Sequence, residues 1–140
     1  MAASDPKLVQ AWLRKAMHDL RTAELLSANE DGPLDTAIYH CQQAAEKAVK
    51  GFLCYAGIPI EKTHDVERLI KLASQHRSEF SQWLDEAEIV TPYATRFRYP
   101  MEDLNAPMEP SSSEFAEALD ATQRLYHFVL SVLPPETHPV

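Results

Sequence analysis

Residues 33–56 read PLDTAIYHCQQAAEKAVKGFLCYA, and this stretch decides the fold. Its apolar side chains recur with the 3.6-residue period of an α-helix that has one buried face. At 100° per residue, that face carries Ala37, Ile38, Cys41, Ala44, Ala45, Ala48, Val49, Phe52 and Tyr55. The opposite, polar face carries His40, Gln43, Lys47, Lys50 and Cys54, with Gln42 and Glu46 beside them. Gly57 and Pro59 then predict the end of the helix.

Composition limits the classes of function. The 140 residues fit one domain, and a hydrophobic fraction of 45% is ordinary for a globular chain. Only 3 glycines occur, and no glycine-rich phosphate loop is present. We therefore expect no cofactor held by such a loop. The net charge of −8 would repel nucleic acid, so RNA could bind only at a local basic patch.

The two cysteines indicate the redox state of the protein's compartment. Cys41 and Cys54 lie within one predicted helix, too far apart to form a disulfide. There is neither a secretory N-terminus nor an apolar run of about 20 residues that could span a membrane. We therefore expect a reducing, cytoplasmic setting and no membrane partner.

Four further stretches predict helices or their boundaries. Asp5-Pro6 begins the first helix, which has an apolar stripe from Val9 to Ser27. Thr63 is expected to cap the third helix, with Asp65 in its first turn. Residues 80–90 are expected to form a fourth helix, and Ser111 with Glu114 is a capping-box pattern that begins the last one. The predicted fold is all-α: a single-domain, antiparallel (up-and-down) bundle of about five helices over residues 1–133, followed by a flexible tail, 134–140.

The segment 93–110, YATRFRYPMEDLNAPMEP, has neither helical periodicity nor strand alternation. Long irregular segments are uncommon in compact domains and often functional. It is therefore the first place to look for a site.

Three motifs together resemble the prokaryotic HEPN domain: HCQQAAEKAVKGFL (residues 40–53), KTHDVERL (62–69) and YATRFRYP (93–100). The resemblance extends from the His18-Asp19-Leu20 region to the last helix. It implies a helical bundle that forms a homodimer. It also implies a minimal nucleotidyltransferase as partner, in a toxin–antitoxin or nucleotide-handling module.

One departure from the family affects the enzyme question. Many HEPN domains resemble metal-independent RNases that use an arginine followed, after four to six residues, by a histidine. Here the arginines are Arg96 and Arg98, and positions 101–105 contain no histidine. This weakens the RNase hypothesis, in which a relocated His40 or His64 would be the base, and leaves the catalytic residues unassigned.

The candidate ligand-binding residues are Arg98, Arg96, Tyr99, Lys47, Lys50, Gln43 and His64. The arginines offer forked donors to a phosphate, and Tyr99 offers a ring for stacking. Alternatively, an arginine pairs with Asp19 or Glu46 while the turn at Tyr99 packs against the end of the bundle. Lys47, Lys50 and Gln43 form either a basic strip or a solvated face on which Lys50 pairs with Glu46. His64 either contacts a phosphate or acts as an acid or base, or else it packs and orders the turn. No histidine has the spacing of a metal ligand.

Three functions remain open. The preferred one is a nucleotide-binding or nucleotidyltransferase-partner component, in which Arg96, Arg98, Lys47 and His64 line one polar cleft. The alternatives are a metal-independent RNase and a dimeric interaction module without a ligand.

Overall fold

The computed structural model describes residues 5–140, and all of the regular secondary structure in that range is helical. The five α-helices are α1 (Pro6–Ser27), α2 (Leu34–Tyr55), α3 (Val66–Ser74), α4 (Leu84–Val90) and α5 (Ser112–Ser131). Short 3₁₀ helices span Ser78–Trp83, Thr91–Ala94 and Pro135–Thr137. The predicted all-α bundle of five helices is confirmed.

The ends of the helices follow local side-chain chemistry. Asp5 caps α1, with its carboxylate accepting from the backbone N–H of Lys7, and Ser111 and Glu114 form the expected capping box on α5. The predicted cap of α3 is wrong by two residues. Asp65, not Thr63, is the N-cap, because its carboxylate accepts from the backbone N–H three residues later. Thr63 instead accepts from the N–H of Asp65 and orders the preceding turn.

The predicted helix over residues 80–90 begins with a 3₁₀ segment. A 3₁₀ helix aligns residues i and i+3, so Phe80 and Trp83 point to the same side. There both rings contact Phe128 of α5, with centroid distances of 5.0 and 5.1 Å. Packing of these rings against α5 therefore accounts for the tighter turn.

α2 is the central helix, and this overturns the expectation that its polar face is solvated. α1, α3 and α5 all pack against it, so both its apolar face and its polar face are covered. The buried polar residues are Gln42, Gln43, Glu46 and Lys50, and Cys54, expected to be the more accessible cysteine, is also buried. Tyr55, predicted to face the core, is 43% exposed.

The C-terminal segment packs against α1. Thr137 is buried, and the Gln10 side chain donates to the carbonyl oxygen of His138 at 2.8 Å. Residues 134–140 thus make specific contacts where a flexible tail was expected. No helix within residues 5–140 is long and apolar enough to cross a membrane.

Candidate functional site

Arg98 is an exposed cation on the irregular segment after α4. Its guanidinium lies over the ring of Tyr39 on α2, 3.7 Å from the centroid. Over residues 5–140, no carboxylate lies within ion-pair distance of it, and its side chain makes no hydrogen bond. Stacking holds the guanidinium by its face and leaves the N–H donors on its edge for an anion.

The backbone that presents Arg98 is fixed by aromatic packing. Phe97 has a φ of 70°, an uncommon conformation for a residue with a side chain. Its ring stacks on the buried ring of Tyr93 at 6.1 Å, and the Arg96 guanidinium lies 4.5 Å from its centroid. Arg96 also approaches Glu114 at 3.5 Å. The stack offsets a strain of about 1–3 kcal/mol and sets the direction in which the chain continues to Arg98.

These contacts form a surface pocket of about 220 Å³, here called the Arg98 pocket. It is lined by Asp35, Thr36, Tyr39, His40, Phe97 and Arg98. The first four lie on one face of the first turns of α2, at spacings of one, four and five residues. That spacing was the available signal for Asp35, Thr36 and Tyr39, which were not assigned to a site from the sequence.

His40 links the Arg98 pocket to a buried carboxylate on α1. Asp19 is 8% exposed and accepts from His40 Nδ1 at 2.7 Å and from Lys47 Nζ at 2.6 Å. A neutral His40 that donates from Nδ1 to this carboxylate has its lone pair on Nε2. The partner anticipated for Asp19 was an arginine. The structure supplies a histidine and a lysine, and we call these three residues the Asp19 cluster.

A second buried carboxylate collects most of the remaining polar residues of α2. Glu46 accepts from Lys50 Nζ at 2.8 Å, His64 Nδ1 at 2.8 Å and Gln42 Nε2 at 3.1 Å. Gln42 also donates to the backbone carbonyl of His64, and Gln43 donates to Gln42 at 2.7 Å. This Glu46 cluster ties α2 to the loop before α3.

The Glu46 cluster satisfies its buried charge internally. Burial raises the pKa of Glu46, but the hydrogen bonds from Lys50, His64 and Gln42, with the Lys50 charge, outweigh it and leave the pKa below its ordinary value. The His64 side chain is 71% exposed, whereas those of Glu46 and Lys50 are 5% and 8% exposed. The pair is therefore not the solvated i,i+4 pair that was the alternative for Lys50.

The candidate residues do not line one polar cleft, as the preferred hypothesis expected. Arg98 lies in its pocket and Lys47 belongs to the Asp19 cluster. Gln43, Lys50 and His64 belong to the Glu46 cluster, while Arg96 and Tyr99 line a neighbouring cavity. Only His40, from the Asp19 cluster, also lines the Arg98 pocket.

The described residues include neither a cluster suited to a metal ion nor a reactive thiol at Cys41. No group of three or more His, Cys, Asp or Glu within 5–140 could hold a metal ion. Burial, with the Glu24 charge second, raises the pKa of Cys41 to about 12, so this thiol is inert packing, as the sequence indicated.

Comparison with known proteins identifies the family. Residues 9–132 match the family model of the HEPN domain. A Thermus thermophilus protein, TT1696, is 25% identical with a TM-score of 0.75, over 91% of this chain and 99% of its own. ST0689, described as an archaeal HEPN homologue, is 25% identical with a TM-score of 0.69, over 88% and 95%. No curated protein matches significantly. Since the family model spans most of the bundle, the chain belongs to the HEPN domain family.

Proposed function

We propose that this chain is a nucleotide-binding HEPN component that works as a homodimer with a separate minimal nucleotidyltransferase, in a toxin–antitoxin-like module. The observation that carries the proposal is the Arg98 guanidinium, which stacks on Tyr39 and has no carboxylate partner in the described chain. Such a planar, forked donor can bind a phosphate through two parallel N–H groups.

The charges of the chain also support binding of an anion at Arg98. With a net charge of −8, the protein surface as a whole repels anions. Arg68, Arg77 and Arg124 each lie beside a carboxylate that neutralises them. Arg98 differs from these three in that no carboxylate of residues 5–140 pairs with it, and it lines a pocket beside His40 in which a phosphate could reach it.

Calorimetric titration with AMP and with inorganic phosphate tests the binding claim. Arg98→Ala should weaken both affinities by roughly ten- to a hundredfold, since hydrogen bonds to a charged group contribute about 1.5–3 kcal/mol. Arg77→Ala is the matched control, because it removes an exposed arginine that pairs with Glu79 away from the pocket. Equal affinities for wild type and Arg98→Ala would refute the assignment. Absence of any binding by the wild type would favour the ligand-free interaction module.

Exposed apolar side chains on α1 support the proposed homodimer and nucleotidyltransferase partner. Leu8 and Leu25 are 54% and 73% exposed, and Leu8, Ala11 and Trp12 line an apolar surface depression. Light scattering of the chain alone, then with a minimal nucleotidyltransferase, measures both associations. We expect twice the monomer mass alone and a heavier complex in the mixture. A monomer in both samples would contradict this part of the proposal.

A metal-independent RNase is the second candidate, and the position of His40 favours it. The fold brings a histidine oriented by Asp19 into the same pocket as Arg98, which compensates for the missing downstream histidine. In that reaction His40 Nε2 would take the proton of an RNA 2′-hydroxyl as O2′ bonds to phosphorus. The P–O5′ bond would break, water would protonate O5′, and Arg98 would neutralise the phosphate.

An RNA-cleavage assay in EDTA separates the two candidates. If the chain is an RNase, wild type cleaves, whereas His40→Gln and the double variant Arg96→Ala/Arg98→Ala do not. His64→Gln is the control, because His64 belongs to the Glu46 cluster and does not line the Arg98 pocket. No cleavage by any of these proteins would leave nucleotide binding as the function.

A further inference from the structure

The Arg98 pocket is one end of a longer groove. Its residues Asp35, Phe97 and Arg98 also line a second cavity of about 280 Å³, which Tyr99 and Met108 help to close. Phe97, Tyr99 and Met108 in turn line a third cavity, of about 400 Å³. Because they share lining side chains, the three cavities lie next to one another along the segment 95–108 and the N-terminal turns of α2, and we call them together the groove.

The two ends of the groove differ in size and chemistry. The Arg98 pocket, at about 220 Å³, is below the roughly 300–1,000 Å³ of typical small-molecule sites, whereas the third cavity falls within that range. The third cavity is lined mostly by apolar and aromatic groups: Phe97, Tyr99, Pro100, Met101, Ala106, Pro107 and Met108. Thr95 and Arg96 are its remaining side chains. A ligand that fills the groove is therefore anionic at one end and flat and apolar at the other.

We propose that the groove binds a nucleoside 5′-phosphate, with the phosphate at Arg98 and the base in the third cavity, here called the base cavity. The inference rests on the nucleotide-binding function proposed above and adds the orientation of the ligand and the residues that hold its base. Tyr99, which is 73% exposed, supplies a ring against which a base stacks, and Met101 and Met108 supply adaptable apolar contacts.

Asp35 lies where the sugar of such a ligand would pass. It lines both the Arg98 pocket and the second cavity, and the second cavity adjoins the base cavity. Its Oδ1 accepts from the backbone N–H of Thr36 at 2.7 Å, which leaves Oδ2 to accept from a ribose hydroxyl. Asp35 therefore favours a ribonucleotide and disfavours a second phosphate at this position, where two anions would repel.

The base cavity offers few side-chain donors or acceptors to the base edge. Stacking and apolar contact therefore dominate recognition there, and these depend on ring area more than on the base-pairing pattern. Purine nucleotides should bind more tightly than pyrimidine nucleotides, with little difference between adenine and guanine.

Comparison of AMP with ribose 5-phosphate isolates the contribution of the base. Calorimetric titration of the wild type should give an affinity for AMP about tenfold higher, since stacking of one base contributes roughly 1–3 kcal/mol. Ala106→Trp fills the base cavity without touching Arg98. It should lower the AMP affinity to that of ribose 5-phosphate and leave the latter unchanged. Ala116→Trp, an exposed substitution of the same size on α5, is the matched control and should behave as the wild type.

The outcomes distinguish this inference from the proposed function. If ribose 5-phosphate binds but AMP binds no tighter, the base cavity is refuted and phosphate binding stands. The same conclusion follows if Ala106→Trp binds AMP as well as the wild type does. If neither compound binds to the wild type, the nucleotide-binding function fails and the inference fails with it.

Discussion

Replacing Glu46 by glutamine should destabilise the bundle more than any exposed charge substitution. Glu46→Gln keeps the shape of the side chain but removes its charge and leaves the Lys50 ammonium, whose side chain is 8% exposed, without an anionic partner. Breaking one partner of a buried ion pair costs about 3–5 kcal/mol. That is a large share of the roughly 5–15 kcal/mol by which a domain of this kind is stable.

Urea denaturation followed by circular dichroism at 222 nm measures this change. Glu61→Gln is the matched control: it removes the partner of Arg68 in an exposed pair, with side chains 42% and 50% exposed, and should change the midpoint little. The double variant Glu46→Met/Lys50→Met removes both charges together and should recover most of the loss, because no unpaired charge remains buried. A loss below about 1 kcal/mol for Glu46→Gln would refute the claim that this cluster is a buried charge network.

The same cluster gives the stability a pH dependence. The pKa of Glu46 is lower in the folded chain than in the unfolded chain, so its contribution is fully present above the ordinary glutamate value of 4.5. It is lost as the pH falls through the lowered folded pKa, because the unfolded chain takes up the proton first. The difference in unfolding free energy between wild type and Glu46→Gln should therefore shrink as the pH falls below about 4.5. A difference that stays constant over that range would contradict the assigned direction of the shift.

Three further substitutions or reagents test local features. Gly57→Ala should destabilise by about 1–2 kcal/mol in the same urea assay, because Gly57 has a φ of 75°; an unchanged midpoint would exclude that conformation. Ser111→Ala should cost about 1 kcal/mol through loss of the capping box of α5, whereas Ser113→Ala, in the same turn, should cost less. Cys41 should react with a thiol reagent only at the rate of unfolding, and rapid modification of the native protein at this residue would contradict its burial.

The sequence alone predicted the helices and most of their ends, because these depend on neighbours within about four residues. Asp5, Ser111 and Gly57 end or begin helices through their own side chains or backbone freedom, and their roles are confirmed. The cap of α3 was placed two residues early because Thr63 and Asp65 have similar capping chemistry. The start of the 80–90 segment was misjudged because Phe128, which lies far along the chain, decides its packing.

The candidate site was predictable only in part. Arg96 and Arg98 were found because two arginines on a long irregular segment stand out in sequence. Tyr39, the residue that holds Arg98, was not assigned to the site, since nothing in the sequence connects residue 39 with residue 98. The grouping of Lys47 and His64 with the arginines was wrong, because each is drawn to a different buried carboxylate.

The sequence by itself thus determined the all-α class, the number of helices and the identity of the family, since helical period, capping residues and the HEPN motifs are all local patterns. Tertiary structure decided which polar residues are buried and which are free to bind. Because other helices cover both faces of α2, Glu46 and Lys50 pair with each other away from water. The strained Phe97 directs Arg98 towards Tyr39. The physical reason is that charge pairing and burial depend on distances between helices, which no periodicity within one helix specifies.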